Sequence, residues 1–470
     1  MVLIAWMHNT SAVQSAQQWA DQEFSGAHLP DPRLVKRLIT IGADFAKSPL
    51  ASLPEASGSW KATKAAYRFF DNERVSAAAI LQPHQVQTGR RMAAQAIVLT
   101  VQDTTALNFA DHPATEGLGL VGTGRKGALG LWLHSSLAFT PAGQALGVVA
   151  AELWARDPKQ FGKAARRHRR PIAEKESYRW LKSYLATVQC ARENPGTQFV
   201  NIADREGDLY ELFALAAAHP EVGVLVRARH ERKDQCGATL SELLGAQTPA
   251  GIVEIEVPRK PGQPARRARL AVKFTALTLR PPNRHRAGAT LNLWVVEAQE
   301  ILAPGSAHKP LHWRLVTNVP VRDLAAAIER LEWYRKRWSI EEYHRILKSG
   351  CKVEQRQLET VERLGKIIML DLLVAWRVLE LTRAARQPEA LKAEAYFGAE
   401  ELEVLNQWQL TKGKVPDPEM TVRDAVRLIA QLGGFLARKS DGEPGSMTLW
   451  RGLQRLSLMT QGYLLAKTCG

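Results

Sequence analysis

The sequence predicts an α/β fold in which a mixed β-sheet with flanking helices lies between helical regions at the two ends of the chain. Apolar residues recur with helical spacing up to about residue 88, runs rich in β-branched residues follow, and helical spacing returns after about residue 320. The 470 residues are enough for about two to four domains of ordinary size.

The first region is helical and basic. From Ala16 to Thr88, apolar side chains recur at i, i+3 and i+4, and lysines and arginines lie between them. Asp31 and Pro32 form a typical helix start, because aspartate caps free backbone amides and proline fits the first turn. We predict a small helical domain over residues 1–78.

The sheet is predicted within residues 79–386. The run from Ala96 to Phe109 is followed by two more strands, a helix and a fourth strand that ends near Asp204. The order β-β-β-α-β is typical of a mixed sheet flanked by helices. Strand patterns then dominate between about residues 220 and 320, which indicates a β-rich insertion before helices resume.

Residues 387–470 are predicted to form a helical C-terminal domain. Just before it, the apolar run from Ile367 to Trp376 is interrupted by Asp371 and is predicted to be a buried core helix. An apolar stripe at i, i+1, i+4 and i+7 of the last helix consists of Leu449, Trp450, Leu453 and Leu456. Such a stripe suits a partner helix, and packing within a single chain explains it equally well.

The composition favours a polyanionic partner. The chain has 63 Lys and Arg residues against 47 Asp and Glu residues, a formal net charge of +16 and a pI near 9.8. Each basic residue that neutralises a phosphate releases a counterion and strengthens binding at low salt. The alternative is a basic enzyme that binds no nucleic acid.

Other function classes find little support in the composition. The four cysteines form no CxxC pair, so neither a disulfide framework nor a zinc site is indicated. The apolar start of the sequence has no basic segment and is too short for a signal peptide or a membrane span. We therefore expect a cytoplasmic protein without a membrane partner.

One glycine-rich stretch matches GxGxxG by its spacing. A dinucleotide-binding turn must follow a strand directly and open a helix, whereas GLGLVG at Gly117–Gly122 runs into another strand. We interpret it as a hairpin loop. Because the sequence has no Walker-type GxxxxGK[ST] either, we expect no nucleotide cofactor, and a nucleotide-binding enzyme is the weakest alternative.

Two aspartates lie at the ends of predicted strands. Asp103 follows the apolar run of the first strand, and Asp204 follows the fourth strand. Taken singly, each is more easily explained as a cap of the next turn or helix. If the two strands are neighbours, both carboxylates face the same edge of the sheet and can share a hard divalent cation.

The stretch EWYRKRWSIEEYHRILKSG, Glu332–Gly350, places two glutamates among basic and aromatic residues. In a continuous helix at about 100° per residue, one face carries Tyr334, Arg337, Glu341 and Lys348. The apolar residues that can pack into a core on the other side are Trp333, Ile340, Tyr343, Ile346 and Leu347. Glu342 points about 100° away from Glu341 and is predicted to be a supporting or solvent-facing neighbour. The alternative for Glu341 is an ion pair with basic residues one turn away.

A third carboxylate on this helix would complete a two-metal site. Three carboxylates can hold two Mg²⁺ ions about 4 Å apart, which activate a water or a 3′-hydroxyl on one side and stabilise the leaving oxygen on the other. Basic and phenolic groups on the same helix face can hold the phosphates that flank the cleaved bond. A carboxylate inside a basic stripe is therefore expected where a helix binds both metal and DNA.

The spacing Tyr334-x2-Arg337-x3-Glu341-x6-Lys348 resembles the Tyr-Arg-Glu-Lys signature of cut-and-paste bacterial transposases in the "insertion sequence four" group, and in particular the transposon-five type. The resemblance continues in collinear order over nearly the whole chain. Further similar segments are DPRLVKRL, AAYRFFDNERVSAAAI, QDTTALNF, EKESYRWL, ADREGDLYELF, VRARHERKD and LWRGLQRL.

The resemblance implies a ribonuclease-H-like catalytic domain of the DDE class, with the β-rich insertion before its last helix. The catalytic and metal-binding triad would be Asp103, Asp204 and Glu341. This triad would hold two Mg²⁺ ions, for which Mn²⁺ would substitute. The residues in contact with DNA phosphates near the cleaved end would be Tyr334, Arg337 and Lys348.

Further roles follow from shorter matches. Arg227 would lie close to a base that is flipped during hairpin formation, and Trp313 would stack on that base. The alternative for Trp313 is a tryptophan in a core strand. The N-terminal helices would recognise the transposon ends, with candidate contacts at Arg33, Lys36, Arg37 and Lys64. The C-terminal helices would mediate dimerisation, with candidates at Leu449, Trp450, Leu453 and Leu456.

The chain departs from the family in the basic run from Gly162 to Arg170, which is either a DNA-contacting loop or a solvated loop. The resemblance leads us to expect a bacterial, nucleoid-associated transposase that binds double-stranded DNA, at transposon ends and at the target, as a homodimer in a synaptic complex. Nicking would expose a 3′-hydroxyl that forms a hairpin, and the opened ends would join target DNA. Two alternatives are a catalytically silent DNA-binding regulator and a metal-dependent nuclease without strand transfer.

Overall fold

The computed structural model describes residues 15–122, 128–157, 170–257, 265–285, 288–302, 309–387 and 391–469. These residues fall into two compact units. The first unit comprises residues up to 87, 106–131 and 342 onwards, and the second comprises 88–105 and 132–341.

Helices occupy both ends of the chain and strands occupy its middle. The α-helices of the described residues are α1 (Ala16–Phe24), α2 (Pro32–Lys47), α3 (Leu53–Ser57), α4 (Trp60–Asp71), α5 (Ala77–Ala93), α6 (Tyr178–Glu193), α7 (Tyr210–Ala218), α8 (Leu240–Gly245), α9 (Leu324–Arg335), α10 (Trp338–Arg345), α11 (Val361–Ala384), α12 (Ala399–Leu410), α13 (Val422–Leu432) and α14 (Ser446–Cys469).

The strands within the same ranges are β1 (Ile97–Asn108), β2 (Gly119–Val121), β3 (Ala128–Phe139), β4 (Ala145–Trp154), β5 (Gln198–Ala203), β6 (Val222–Arg227), β7 (Gly251–Val257), β8 (Arg266–Leu279), β9 (Leu291–Glu300) and β10 (His312–Thr317). The predicted α/β class, with a mixed sheet between helical ends, is confirmed.

Helix α2 of the first unit begins where the sequence predicts. Asp31 caps α2 by accepting a hydrogen bond of 2.9 Å from the Arg33 amide, and Pro32 occupies the first turn. Ser59 caps α4 in the same way through the Ala62 amide. The apolar faces of both helices are buried, which leaves their basic residues on the outside.

Helix α11 is the core helix of the first unit, as its sequence predicts, and nearly all of its residues are buried. Asp371, which interrupts the apolar run, is completely buried and accepts hydrogen bonds of 2.8 and 2.7 Å from Nε and Nη2 of Arg356. A buried carboxylate is costly unless it is paired in this way. The acidic residue is therefore part of the core rather than an interruption of it.

The C-terminal helices of the first unit bury the apolar stripe of α14 within one chain. The exposed fractions of its members are small: Leu449 1%, Trp450 3%, Leu453 6% and Leu456 1%. Trp450 packs on Gly350, where a Cβ atom would lie 2.9 Å from the tryptophan ring. This burial favours the alternative of single-chain packing for the stripe, and a role of these four residues in dimerisation stays a prediction. The exposed leucines on the same helix include Leu458 and Leu465.

The GLGLVG stretch lies in the first unit and contains the short strand β2. Gly117 and Gly122 adopt φ angles of +86° and +93°, which favour glycine. Between them, β2 pairs antiparallel with the first residues of β3. The interpretation as a hairpin rather than a dinucleotide-binding turn is consistent with this geometry, because no helix follows the glycines within the described residues.

The second unit contains the predicted β-β-β-α-β order, as β1, β3, β4, α6 and β5. The strand order across its sheet is β3-β1-β5-β6-β10-β9-β8-β7, and β4 pairs with β3. Strands β1, β5 and β6 are parallel, whereas β6 and β7–β10 form antiparallel pairs with one another. The strands of the predicted β-rich insertion thus extend the same sheet.

The expected continuous helix over residues 334–348 is wrong. Helix α9 ends at Arg335, and i→i−3 hydrogen bonds from the amides of Arg337 and Ser339 make a tight turn before α10. After α10, residues 346–350 form a π-helical turn, closed by a hydrogen bond of 2.8 Å from the Cys351 amide to the Ile346 carbonyl. A uniform rotation of 100° per residue therefore does not apply across this segment.

The predicted core side of this segment is nevertheless buried, and its residues are Trp333, Ile340, Tyr343, Ile346 and Leu347. No helix of the described residues is long and apolar enough to cross a membrane. The basic run from Gly162 lies outside the described residues, except for Arg170.

Candidate active site

Asp103 and Asp204 lie in one row across the neighbouring parallel strands β1 and β5. Asp204 follows the end of β5 as predicted, whereas the prediction that Asp103 ends its strand is wrong, because β1 continues to Asn108. In the pairing of β1 with β5, Val101 stands opposite Ile202. The same register, continued two residues further, sets Asp103 opposite Asp204. In-register residues of parallel strands point to the same face, so the two carboxylates share a face of the sheet.

The row continues onto the next strand. In the pairing of β5 with β6, Ala203 stands opposite Val226, and the same register continued one residue further sets Asp204, which follows β5, opposite Arg227, the last residue of β6. Arg227 in turn pairs with Leu315 on β10. Asp103, Asp204 and Arg227 therefore occupy one row across three adjacent strands.

The two aspartates have different surroundings. Asp103 accepts a hydrogen bond of 2.8 Å from the Thr104 amide, and burial raises its pKa to about 7, with the nearby Asp204 and Glu341 charges adding to the increase. Asp204 caps the turn that follows β5, since its Oδ1 accepts a hydrogen bond of 2.7 Å from the Glu206 amide. The cap explanation thus holds for Asp204, and it does not exclude a second role because a carboxylate has two oxygens.

Arg337 lies between the row and Glu341. The turn that precedes α10 directs its buried side chain to the carboxylate of Glu341, with which it forms a hydrogen bond. Its Nη1 is 3.8 Å from Oδ2 of Asp103. One guanidinium thus contacts two of the three predicted triad members, and the side chain of Glu341 is still 42% exposed.

Tyr334 completes a polar group around Arg337. The phenol is buried, which raises its pKa, and the nearby charges of Arg337 and Arg227 oppose that rise. Among the described residues, Arg337 Nε has no hydrogen-bond partner, and the Tyr334 hydroxyl has no acceptor for its proton, because the Arg227 side chain beside it can only donate. Burial also lowers the pKa of Arg227. Buried unpaired donors beside cations fit an anionic ligand.

Two tryptophans border this group. Trp313 is half-buried on β10, and its ring meets the Tyr334 ring edge-on at 6.2 Å between centroids. Trp338 is 50% exposed and has the Arg337 guanidinium 4.9 Å from its ring centroid. Trp313 is therefore not fully enclosed in the core, and its stacking role stays a prediction.

The predicted site residues of the second unit lie close together, whereas Lys348 belongs to the first unit, where it is half-buried in the π-helical turn. Glu342 is also in the first unit. Its carboxylate accepts a hydrogen bond of 2.6 Å from Arg383 and lies 3.7 Å from Arg345. Glu342 is thus a supporting residue, one of the two roles predicted for it.

The described residues include no preformed group of three or more His, Cys, Asp or Glu side chains that could hold a metal ion. Asp103 and Asp204 influence each other electrostatically, but the third carboxylate, of Glu341, is engaged by Arg337. The donors are all carboxylate oxygens, which are the ligands that Mg²⁺ prefers.

The predicted DNA-contacting side chains of the N-terminal helices are on the surface of the first unit. Lys36 and Lys64 are exposed, Arg37 is half-buried, and the side chain of Arg33 is 90% exposed beside its partner Asp31. They form a basic surface on α2 and α4, and their contact with DNA is untested.

Sequence reasoning missed two exposed tryptophans. Trp60 is 70% exposed at the start of α4, with the Lys64 ammonium 4.9 Å from its ring centroid, and Trp338 lies beside Arg337. A tryptophan in an amphipathic helix is normally assigned to the core, so the sequence alone gives no signal of this exposure. Both rings combine an aromatic face with a neighbouring cation.

Comparison with known families bears on both ends of the chain. Residues 16–75 match the family model described as transposase DNA-binding. Residues 373–469 match the model described as transposase Tn5 dimerisation domain. These matches support a Tn5-like transposase. They support DNA as a partner and a homodimer as the assembly.

The two matched ranges include the helices predicted for each task. The first range covers α1, α2, α3 and α4, with the basic residues described above. The second range begins within α11 and reaches the end of α14. The carboxylate row lies between the two ranges.

Proposed function

We propose that the chain cleaves transposon ends and joins them to target DNA, using Asp103, Asp204 and Glu341 as the catalytic carboxylates of a ribonuclease-H-like domain. The row of Asp103, Asp204 and Arg227 across three parallel strands is the observation that carries this proposal. The two family matches support the DNA substrate and the homodimer.

The carboxylates fit a hard divalent cation. Asp103 holds a proton up to about pH 7 because burial and neighbouring carboxylates oppose its ionisation, and a cation would relieve both effects. Asp103 and Asp204, with Glu341 as the third donor, would hold Mg²⁺, for which Mn²⁺ would substitute. When bound, two such ions would supply Lewis-acid stabilisation of the attacking and leaving oxygens.

The arginines and Tyr334 would hold the DNA backbone beside the carboxylates. The O–H of Tyr334 and the Nε–H of Arg337 are both donors without an acceptor, and a phosphate oxygen satisfies both. Arg227 adds a third donor group in the same row. These contacts would position the scissile bond without reading base sequence. Lys348, from the family signature, would contribute a further phosphate contact.

The reaction order follows the family resemblance. Hydrolysis would expose a 3′-hydroxyl, which would attack the opposite strand to form a hairpin, and the reopened end would join target DNA. Trp313, beside Tyr334, would provide an aromatic face for a base taken out of the stack. The surface of α2 and α4 would bind the transposon end.

The test uses a duplex that carries the inverted repeats bounding the reading frame, with the full-length protein and Mg²⁺. Asp204→Asn is expected to bind this duplex as the wild type does and to lose strand cleavage. Efficient cleavage by the variant would overturn the carboxylate assignment. Binding without nicking by the wild type would identify a regulator, and nicking without joining to a target plasmid would identify a nuclease.

A further inference from the structure

A buried polar network lies on the opposite face of β1 from Asp103. Gln102 and Thr104 flank Asp103 in the strand, so their side chains point away from the carboxylate row. His134 of β3 contacts both of them. Its Nδ1 is 2.8 Å from Oγ1 of Thr104, and its Nε2 is 3.0 Å from Oε1 of Gln102.

The network continues to the strand that carries Asp204. Nε2 of Gln102 donates a hydrogen bond of 2.6 Å to Oδ1 of Asn201 on β5. Nδ2 of Asn201 donates to Oγ1 of Thr100 at 3.1 Å and to Oγ1 of Thr187 on α6 at 3.3 Å. Three strands and one helix are thus joined beneath the two aspartates.

The amide orientations of Gln102 and Asn201 in this structure set the direction of these hydrogen bonds, since an imidazole can carry its proton on either nitrogen. Because the amide nitrogen of Gln102 donates to Asn201, its oxygen faces His134 and must accept. His134 therefore carries its proton on Nε2 and accepts from the Thr104 hydroxyl at Nδ1. The imidazole is 3% exposed and packs edge-on against Trp180 at 4.9 Å between centroids, so it is confined in this orientation.

Burial and the nearby Arg179 charge lower the pKa of His134 to about 3, in agreement with a neutral ring. A neutral ring with one donor and one acceptor matches the two partners it has. Gln102 and Asn201 are completely buried, so no water competes for their hydrogen bonds. The network is fully paired at these positions and can hold the strands rigidly.

We propose that His134 is a positioning residue for the carboxylate row: its two hydrogen bonds hold β1 on both sides of Asp103 and, through Gln102 and Asn201, fix Asp103 relative to Asp204. The inference rests on the function proposed above, because it assigns the network a purpose only if the two aspartates share a cation. Outer residues that orient metal ligands typically contribute about 10- to 100-fold in metal affinity.

The matched control is Tyr184→Phe. The Tyr184 hydroxyl is buried and donates a hydrogen bond of 2.9 Å to the Val222 carbonyl, in the same unit. It has no hydrogen bond to the His134 network. Each of the two variants, Tyr184→Phe and His134→Phe, removes buried polar atoms and keeps an aromatic ring. If the role of His134 is purely structural, both variants should lose stability and neither should lose metal affinity.

The experiment measures Mn²⁺ binding by the full-length protein without DNA, from the electron paramagnetic resonance of the free ion. Four variants are compared with the wild type: Asp204→Asn, His134→Phe, His134→Gln and Tyr184→Phe. His134→Phe is expected to weaken Mn²⁺ binding by about 10- to 100-fold. His134→Gln, which keeps a donor for Gln102, is expected to recover part of that loss, and Tyr184→Phe to bind as the wild type.

The outcomes separate the two proposals. If Asp204→Asn weakens Mn²⁺ binding and His134→Phe does not, the positioning role is overturned and the carboxylate site stands. If Asp204→Asn leaves binding unchanged, the carboxylate site fails, and the positioning role fails with it. Should His134→Phe not fold, Thr104→Val removes only the hydroxyl partner of Nδ1, and Mn²⁺ binding equal to that of the wild type would then overturn the positioning role.

Discussion

Two arginines of this protein lie beside carboxylates and differ in how completely their donors are paired. The first arginine is Arg356, which forms a buried ion pair with Asp371 that we call the closed pair. Every nitrogen of the Arg356 guanidinium donates to Asp371 or to a backbone carbonyl. The second arginine is Arg337, which forms what we call the open cluster with Asp103 and Glu341. Its Nε has no partner among the described residues, and the side chain of Glu341 is 42% exposed.

The difference separates a structural ion pair from a binding site. A closed pair has no donor left for a ligand, so its contribution is to the stability of the core. An open cluster holds charges that are incompletely paired, and such groups are typical of positions that bind an anion or a cation. The predictions below test this contrast, beginning with the largest expected effect.

The two adjacent glutamates should differ sharply in function. Glu341→Gln removes a carboxylate of the open cluster and should lower strand cleavage at least about 1,000-fold, because transition-state stabilisation by a cation is lost. Glu342→Gln should leave cleavage almost unchanged and lower stability by about 1 kcal/mol through its partner Arg383. Single-turnover cleavage and urea unfolding measure the two effects, and equal cleavage by both variants would remove the distinction.

Breaking the closed pair should affect stability most. Asp371→Asn leaves the buried Arg356 without a counter-charge, so the free energy of unfolding should fall by about 3–5 kcal/mol. The control is Glu359→Gln, since Glu359 is an exposed partner of Arg363 and should contribute less than about 1 kcal/mol. A similar small loss for both variants in denaturant unfolding would contradict the contrast between closed and open arginines.

Arg337 should contribute to DNA binding through phosphate. Arg337→Ala is expected to reduce the slope of log affinity against log salt by about 1 and to slow cleavage about 10- to 100-fold. Arg335→Ala is the neighbouring control, because Arg335 pairs with Glu332 at 2.7 Å and lies outside the open cluster. Fluorescence anisotropy over a salt series measures the slope, and an unchanged slope for Arg337→Ala counts against the phosphate contact.

The open cluster should also make the free energy of unfolding depend on pH when a metal chelator is present. In the folded chain Asp103 keeps its proton up to about pH 7, whereas in the unfolded chain it ionises near its ordinary value of 3.8. The folded state therefore binds more protons between these values. Its stability falls as pH rises, by about 1.4 kcal/mol per pH unit at most, and levels off above about pH 7.

Asp103→Asn lacks this titration and serves as the reference. Unfolding measured from pH 5 to 8 should show the wild type losing stability relative to the variant up to about pH 7 and no further change beyond it. If both proteins follow the same pH curve, the carboxyl of Asp103 is not perturbed as described.

Local sequence patterns anticipated the elements of the fold and much of the site. Alternation and β-branched runs predict β1 and β3–β10, and capping residues such as Asp31 predict helix starts, because both depend on neighbours a few residues apart. The prediction of a continuous helix over residues 334–348 was wrong. The turn at Arg337 and the π-helical turn depend on packing that the local pattern does not contain.

The sequence by itself determined that Asp204 follows a strand, that the N-terminal helices are basic and that α11 is buried, whereas its placement of Asp103 at a strand end was wrong. Only the tertiary structure decided that Asp103, Asp204 and Arg227 share one row, that the stripe of α14 is buried within one chain, and which arginine is closed and which is open. The physical reason is that strand register, burial and ion pairing join residues far apart in sequence, whereas a sequence pattern reports only on near neighbours.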